Sequence, residues 1–69
     1  MLTQIHTPFT TEATAKHALT LFRKRWRVAL RGAVVIEDTL RRAWYVYVPL
    51  GGTGFSSAEF ASALRALDY

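Results

Sequence analysis

Five side chains of this sequence bring positive charge and aromatic rings into two neighbouring segments. Three arginines and two tyrosines make up the set: Arg25, Arg27, Arg31, Tyr45 and Tyr47. Guanidinium groups bind phosphates and carboxylates, whereas tyrosine rings stack on bases or occupy the centres of protein interfaces. We therefore predict that these residues form a binding site for a macromolecule, which is either a protein or a nucleic acid.

Further positive charge lies beside this set. The sequence carries nine Lys and Arg against five Asp and Glu, a net charge of +4, and five of the nine cations fall between residues 23 and 31. A concentrated field attracts acidic partners more effectively than a dispersed one. We expect the partner to present an acidic or nucleic-acid-bearing surface, and we assign a secondary basic contribution to four residues: Arg23, Lys24, Arg41 and Arg42.

Catalysis is not expected from this sequence. His6 and His17 fall on different predicted elements, and no carboxylate pattern near either makes a metal site or an acid-base pair. The absence of cysteine excludes zinc knuckles, iron-sulfur ligation and thiol catalysis. The glycine-rich run at residues 51–54 lacks the lysine of a phosphate-binding loop and indicates a flexible connection. We predict a non-enzymatic protein with no catalytic residue, no metal ligand and no cofactor.

The element that must position the arginines and tyrosines is a β-hairpin spanning Arg25–Leu50. Apolar residues alternate with polar ones from Arg25 onward, as in a half-buried antiparallel strand. Gly32 interrupts this run, and we interpret it as a bulge inside one long strand. Val34 and Ile36 continue the every-second-residue spacing of the preceding apolar residues and so would lie on the same face as they do. A tight turn at this glycine, which would divide the run into two short strands, is the alternative.

The predicted register of the hairpin assigns its two faces. Pairing Asp38 with Arg42 would set Ile36 opposite Trp44, so that apolar cross-strand pairs form on one side of the sheet. The other side would then carry the two tyrosines beside the arginines. We expect the buried side to include five large side chains: Trp26, Val28, Ile36, Trp44 and Val46.

Helices are predicted on either side of the hairpin. The first begins at Thr10 or Thr11, where a threonine cap precedes an acidic residue and an apolar stripe at helical spacing. The second begins with a capping box, in which Ser56 is the cap and Glu59 reaches back to it. A short N-terminal strand ending near Pro8 would lie at a sheet edge, since proline removes a backbone donor.

The sequence as a whole predicts one α+β domain. Its element order is (β)-α-β-β-α over residues 1–69, with a small antiparallel sheet built on the central hairpin and both helices packed on one face. No apolar run approaches the ~20 residues needed to span a bilayer, and the N-terminus lacks the pattern of a signal peptide. Together with the absence of cysteine, these features predict a cytoplasmic protein that makes no membrane contact.

The order of these elements resembles that of small phage-encoded inhibitors of host defence, in particular anti-CRISPR proteins. The similarity rests on an N-terminal extended piece followed by TTEATAKHALTLFRKR, RWRVALRGAVVIEDTLRRAWYVYVPL and SSAEFASALRAL. It covers the whole chain but is architectural: those families share no diagnostic motif, so no functional residue is transferred by position.

The resemblance implies a non-enzymatic protein in the host-cell cytoplasm that occupies a surface on a type I CRISPR effector complex and blocks recruitment of DNA or of a nuclease. Many such inhibitors are acidic and imitate DNA, whereas this chain is basic. The partner implied here is therefore an acidic protein surface, the guide RNA or the target DNA.

Overall fold

Three strands and two helices follow one another in the order β-α-β-β-α in a computed structural model that describes residues 1–67. The elements are β1 (Thr3–Phe9), α1 (Glu12–Trp26), β2 (Val34–Asp38), β3 (Ala43–Val48) and α2 (Ser57–Arg65). The strands form one antiparallel sheet in which β3 lies between β1 and β2. The predicted α+β class and element order are confirmed, and β1 lies at a sheet edge as expected; the last two residues of the predicted domain fall outside the described residues.

The first helix begins where the sequence indicates. The side chain of Thr11 accepts a hydrogen bond from the backbone N–H of Thr14 at 3.1 Å, which satisfies one of the unpaired donors of the first turn. The apolar stripe of α1 then points into the core, and four of its residues are buried: Ala15, Ala18, Leu19 and Phe22.

The second helix also begins at its predicted cap. The Ser56 hydroxyl accepts the Glu59 N–H at 3.2 Å, and the Glu59 carboxylate accepts the Ser56 N–H at 3.0 Å. The bond from the Ser56 N–H stabilises the charged carboxylate and so holds the pKa of Glu59 below its ordinary value. A helix of nine residues is too short to be stable alone, so α2 depends on the packing of its apolar face.

The core is formed by both helices on one face of the sheet. Phe22 of α1 stacks on Phe60 of α2 with ring centroids 4.0 Å apart, and it also contacts Trp26 at 4.5 Å. Ile5 and Val46 supply fully buried side chains from the sheet beneath these rings. Aromatic pairs at these separations add to the free energy of burial, so this cluster joins the two helices to each other and to the sheet.

The predicted strand beginning at Arg25 is wrong. Helix α1 continues to Trp26 and ends at Arg27, whose φ of 53° is left-handed. Trp26 lies one helical turn after Phe22 and packs on its ring, which favours continuation of the helix over a change to strand. Residues 27–33 contain no strand.

Gly32 lies in a turn, so the interpretation of this residue as a bulge is also wrong. The Ala33 N–H donates to the Leu30 carbonyl at 3.1 Å, and Gly32 has φ +81° at the third position of this four-residue reversal. A type II turn requires positive φ at that position, which glycine adopts without a steric penalty.

The hairpin register differs by one residue from the predicted one. Asp38 pairs with Ala43 and Ile36 pairs with Tyr45, because four residues rather than three separate the strands. One oxygen of the Asp38 carboxylate accepts the N–H groups of Leu40 and Arg41, each at 3.1 Å, and so fixes this longer turn.

The register shift reverses the two faces of β2. A displacement of one residue moves every side chain of a strand to the other side of the sheet. Val35, which pairs with the fully buried Val46, therefore faces the helices, whereas Val34 and Ile36 face away from them. The prediction that Ile36 belongs to the buried face is wrong, and that for Val46 is confirmed.

We predict that Gly32→Ala lowers the free energy of unfolding by about 1 kcal/mol, because a Cβ is disfavoured at φ +81° although nothing lies within 4 Å of it. Gly51→Ala is the control, since its site is equally open and its φ is not left-handed; it should leave stability unchanged or raise it slightly. Denaturant titration of both variants measures the difference. Equal effects of the two substitutions would contradict a turn at Gly32.

Candidate functional site

The side of the sheet that faces away from the helices is here named the outer sheet face. It includes five residues that pair across the three strands: Gln4, Val34, Ile36, Tyr45 and Tyr47. The two aliphatic side chains are 40% and 49% exposed, whereas Tyr45 is only 6% exposed and Tyr47 is half-buried. The accessible part of this surface is therefore chiefly aliphatic, and Tyr45 forms its floor.

One arginine lies beside Tyr45, and it is not one of the three that the sequence placed there. The Arg41 guanidinium is close to Tyr45, and hydrogen bonding to that phenol is the main cause of a pKa raised above the ordinary value for arginine. The Asp38 carboxylate, 3.8 Å from the Arg41 Nε, acts in the same direction. With the adjacent Arg42, this side chain gives one end of the outer sheet face a positive charge.

The structure does not bring Arg25, Arg27 and Arg31 onto the outer sheet face, so the predicted single surface of arginines and tyrosines is wrong. Arg25 lies in the last turn of α1, and its guanidinium carbon is 5.5 Å from the centre of the Trp26 ring. Arg27 ends that helix, and Arg31 lies in the turn before β2. The cause is the continuation of α1, which replaces the expected strand.

A separate basic surface results from this arrangement. We name it the basic segment; its five residues are all exposed, namely Arg23, Lys24, Arg25, Arg27 and Arg31. Three of them occupy the last turn of α1, where the helix dipole stabilises cations. Lys24, Arg25 and the half-buried Trp26 line a shallow depression of about 650 Å³ on this side of the molecule.

A groove runs between α1 and the free edge of β2, and we name it the α1–β2 groove. Its volume is about 460 Å³, and its lining includes Lys16, Leu19, Arg23, Leu30, Val34 and Val35. Lys16 is paired with Glu12 at 3.5 Å, whereas Arg23 enters no ion pair in residues 1–67. The groove thus combines an apolar lining with a cationic margin, and the sequence pattern gave no indication of it.

The histidines lie apart from one another. His6 is exposed on β1 and lines a small depression with α2 residues, among them Ser62 and Arg65, while His17 is exposed on α1. In the part of the chain that the structure describes, no three His, Asp or Glu side chains are grouped as a metal site would need. No helix within residues 1–67 has the length and apolar character required to cross a membrane.

The connection before α2 is held by local hydrogen bonds. The Thr53 hydroxyl donates to the Leu50 carbonyl at 2.7 Å and accepts the Phe55 N–H at 3.2 Å. At the start of α2 the Glu59 carboxylate already accepts the Ser56 N–H. An anion bound at this helix start would be repelled by that carboxylate, which argues against use of the glycine-rich loop for phosphate binding.

Comparison with known proteins gives no match to the chain, whether with protein-family models, with curated proteins or with solved structures. The candidate surfaces are therefore defined by geometry alone. Sequence reasoning missed Val34 and Ile36 as surface residues. The signal that could have located them is Asp38, since an Asp at the first position of a turn favours a loop that its own carboxylate can close.

Two arginines occupy backbone conformations in which glycine would be more stable. Arg27 and Arg42 both have φ 53°, and a residue with a Cβ is disfavoured there by about 1–2 kcal/mol. One belongs to the basic segment and the other lies at the end of the outer sheet face. Strained positions of this kind are often found at functional sites, so both candidate surfaces include a side chain held at some cost in stability.

We predict that Arg27→Gly and Arg42→Gly each raise the free energy of unfolding by up to about 1 kcal/mol, because glycine adopts the left-handed conformation without steric strain. Arg31→Gly is the matched control: it removes the same charge from a residue whose φ is not left-handed, and it should give no gain. Denaturant midpoints at constant slope report the difference. A gain of the same size in Arg31→Gly would assign the effect to charge repulsion instead.

Proposed function

We propose that this chain is a non-enzymatic binding protein that inhibits or regulates a macromolecular complex by covering part of that complex's surface with its outer sheet face. The observation that supports the proposal most strongly is the exposure of Val34 and Ile36 on a sheet face that neither helix covers. Exposed aliphatic side chains grouped on one face are typical of a protein interaction site.

A protein partner fits this face better than a nucleic acid does. Proteins that bind single strands from a sheet surface use exposed aromatic rings on which bases stack. Here the ring of Tyr45 is 6% exposed, and the residues that project are aliphatic. The outer sheet face therefore offers apolar contact area and little stacking area.

The charge at the margin of the face indicates the chemistry of the partner. Arg41 and Arg42 adjoin the aliphatic centre at one end, and the whole chain carries a net charge of +4. The complementary surface has an apolar centre and acidic groups at its rim. The architectural resemblance to anti-CRISPR proteins identifies a type I CRISPR effector complex as the first partner to test.

We predict that the chain binds a purified type I effector complex stoichiometrically and that Tyr47→Ala weakens binding by more than ~2 kcal/mol, about 30-fold in Kd, because the ring is central to the face. Biolayer interferometry measures the affinity, and a DNA-binding assay of the effector measures inhibition. Circular dichroism melting of the variant confirms that the fold is retained.

Leu40→Ala serves as the control, since Leu40 is 95% exposed in the β2–β3 turn and belongs to none of the strands that form the outer sheet face. It should bind as the unchanged chain does. Undiminished affinity of Tyr47→Ala would reject the outer sheet face as the binding site, and absence of binding to the effector would reject the anti-CRISPR form of the proposal.

A second candidate function is favoured by the basic segment. Its five cations are all exposed on one short stretch around the half-buried Trp26. Exposed Lys and Arg side chains beside an aromatic ring are typical of surfaces that bind the phosphate backbone of a nucleic acid. In this alternative the chain is a small DNA- or RNA-binding module, and the outer sheet face has no direct role in contact with the nucleic acid.

Salt dependence tests this alternative. Affinity for a fluorescent oligonucleotide should fall log-linearly with salt concentration, and Arg27→Ala or Arg31→Ala should each reduce the slope by about one, because each removes one phosphate contact. Fluorescence anisotropy with single-stranded and duplex DNA and RNA gives the slopes. Failure to bind any of these oligonucleotides at low salt would eliminate the nucleic-acid alternative.

A further inference from the structure

Strand β2 has a free edge. The sheet order places β3 on one side of β2 and, in the described part of the chain, no strand on the other. In an antiparallel sheet, every second residue of an edge strand directs its backbone N–H and C=O groups away from the sheet. These groups can form hydrogen bonds with an added strand. The edge is short, since β2 spans only Val34–Asp38, and it carries aliphatic side chains on both of its faces.

The α1–β2 groove continues this edge toward the helices. A strand added beside β2 would lie about 5 Å from it, and every second side chain of the added strand would point to the helix side of the sheet. Val35 faces that side and lines the groove together with Glu12, Lys16 and Arg23. Because the Glu12 carboxylate is paired with Lys16, Arg23 supplies the positive charge that remains unpaired at the margin. The side chain set opposite Val35 therefore meets an apolar wall and a cationic margin, so an acidic residue with an aliphatic stem fits best.

One acidic side chain in the described part of the chain has no partner within the monomer. Among residues 1–67, Glu12 and Asp38 are in ion pairs and Glu59 caps α2. The Glu37 side chain is exposed and enters no ion pair or hydrogen bond. It lies on the free edge strand itself, and it shares the helix side of the sheet with Val35, because it pairs with Trp44 of β3.

We propose that two copies of the chain associate through their β2 edges to form one continuous six-stranded antiparallel sheet. A two-fold axis through Ile36 sets that residue opposite its own copy and sets Glu37 of each copy opposite Val35 of the other. Glu37 of the second copy then enters the α1–β2 groove beside Lys16 and Arg23, and the symmetry repeats this contact.

The second copy is the occupant that the charges and side chains favour. The two-fold axis sets side chains that lie on the same side of the sheet opposite each other. The aliphatic side chains of the outer side therefore meet across the axis, and the helices of both copies lie together on the other side of the sheet. Glu37 and Arg23, neither of which enters an ion pair among residues 1–67, are brought together at both symmetric contacts. The dimer leaves the outer sheet face uncovered, so this inference does not depend on the proposed partner.

Sedimentation equilibrium of the full chain from about 10 µM to about 1 mM tests the association, with a mass of twice 7.8 kDa expected at the upper end. Glu37→Arg places an arginine against the cationic margin of the other copy, and Arg23→Glu places a glutamate against Glu37. Each variant alone should remain monomeric.

Mixing these two variants restores the complementary charges at both contacts of a heterodimer. The mixture should therefore sediment with twice the monomer mass, whereas neither variant does so alone. Because each variant serves as the folding control of the other, this result cannot be produced by unfolding. Monomeric behaviour of the mixture would overturn the Glu37–groove contact.

A cross-link reports the two-fold axis. The chain has no cysteine, so Ile36→Cys introduces a single thiol that would face its own copy with Cβ atoms about 4.5–5.5 Å apart. Mild oxidation should convert it to a covalent dimer faster than it converts Leu2→Cys, which lies 42% exposed beside the opposite edge of the sheet. Equal rates of cross-linking for the two variants, or a chain that stays monomeric at all concentrations, would overturn the proposal. The β2 edge would then be available to pair with a strand from another protein.

Discussion

The Asp38 carboxylate determines which side chains this protein presents to its surroundings. By accepting the backbone N–H groups of Leu40 and Arg41, it closes a four-residue turn and fixes the pairing of β2 with β3. A turn shorter by one residue would bury Ile36 and expose Val35. The aliphatic surface, the groove wall and the position of Glu37 all follow from the length of this one turn.

The aromatic cluster has a complementary role, because it commits both helices to one side of the sheet. Phe22 contacts Phe60 and Trp26, and Phe55 packs against the same group at 5.3 Å from Phe22. Phe22 and Trp26 lie on α1 and Phe60 lies on α2, so within residues 1–67 no further helix remains to cover the other side of the three-stranded sheet. A chain of 69 residues that uses its aromatic side chains in this way leaves half of its sheet surface available for contact with other molecules.

The parts of the fold that local signals determine could be predicted from the sequence. The caps at Thr11 and Ser56 and the helical spacing of apolar residues predict correctly where both helices begin, since each signal acts within one or two turns of chain.

The errors arose where two structures satisfy the same pattern. Trp26, Val28 and Leu30 alternate as a strand would, yet Trp26 also lies one helical turn after Phe22, and packing decides between them. The hairpin register depends on a left-handed conformation at Arg42, a residue type that gives no local sign of it. Both errors affected the predicted candidate site. Its arginines were placed on a strand that does not form, and its exposed face was assigned from a register that is wrong by one residue.

The sheet order has a consequence for the time course of folding. The first strand pairs with β3, across the entire length of α1 and β2, and the Thr7 hydroxyl donates to the Ala61 carbonyl in the last helix at 3.4 Å. The hairpin and both helices can form from neighbouring residues, but β1 has no strand partner until β3 has been synthesised. Contacts of such sequence separation slow folding relative to a helical bundle of the same size. On the ribosome β1 emerges before its partner β3, and until the two strands pair it remains open to pairing with another chain.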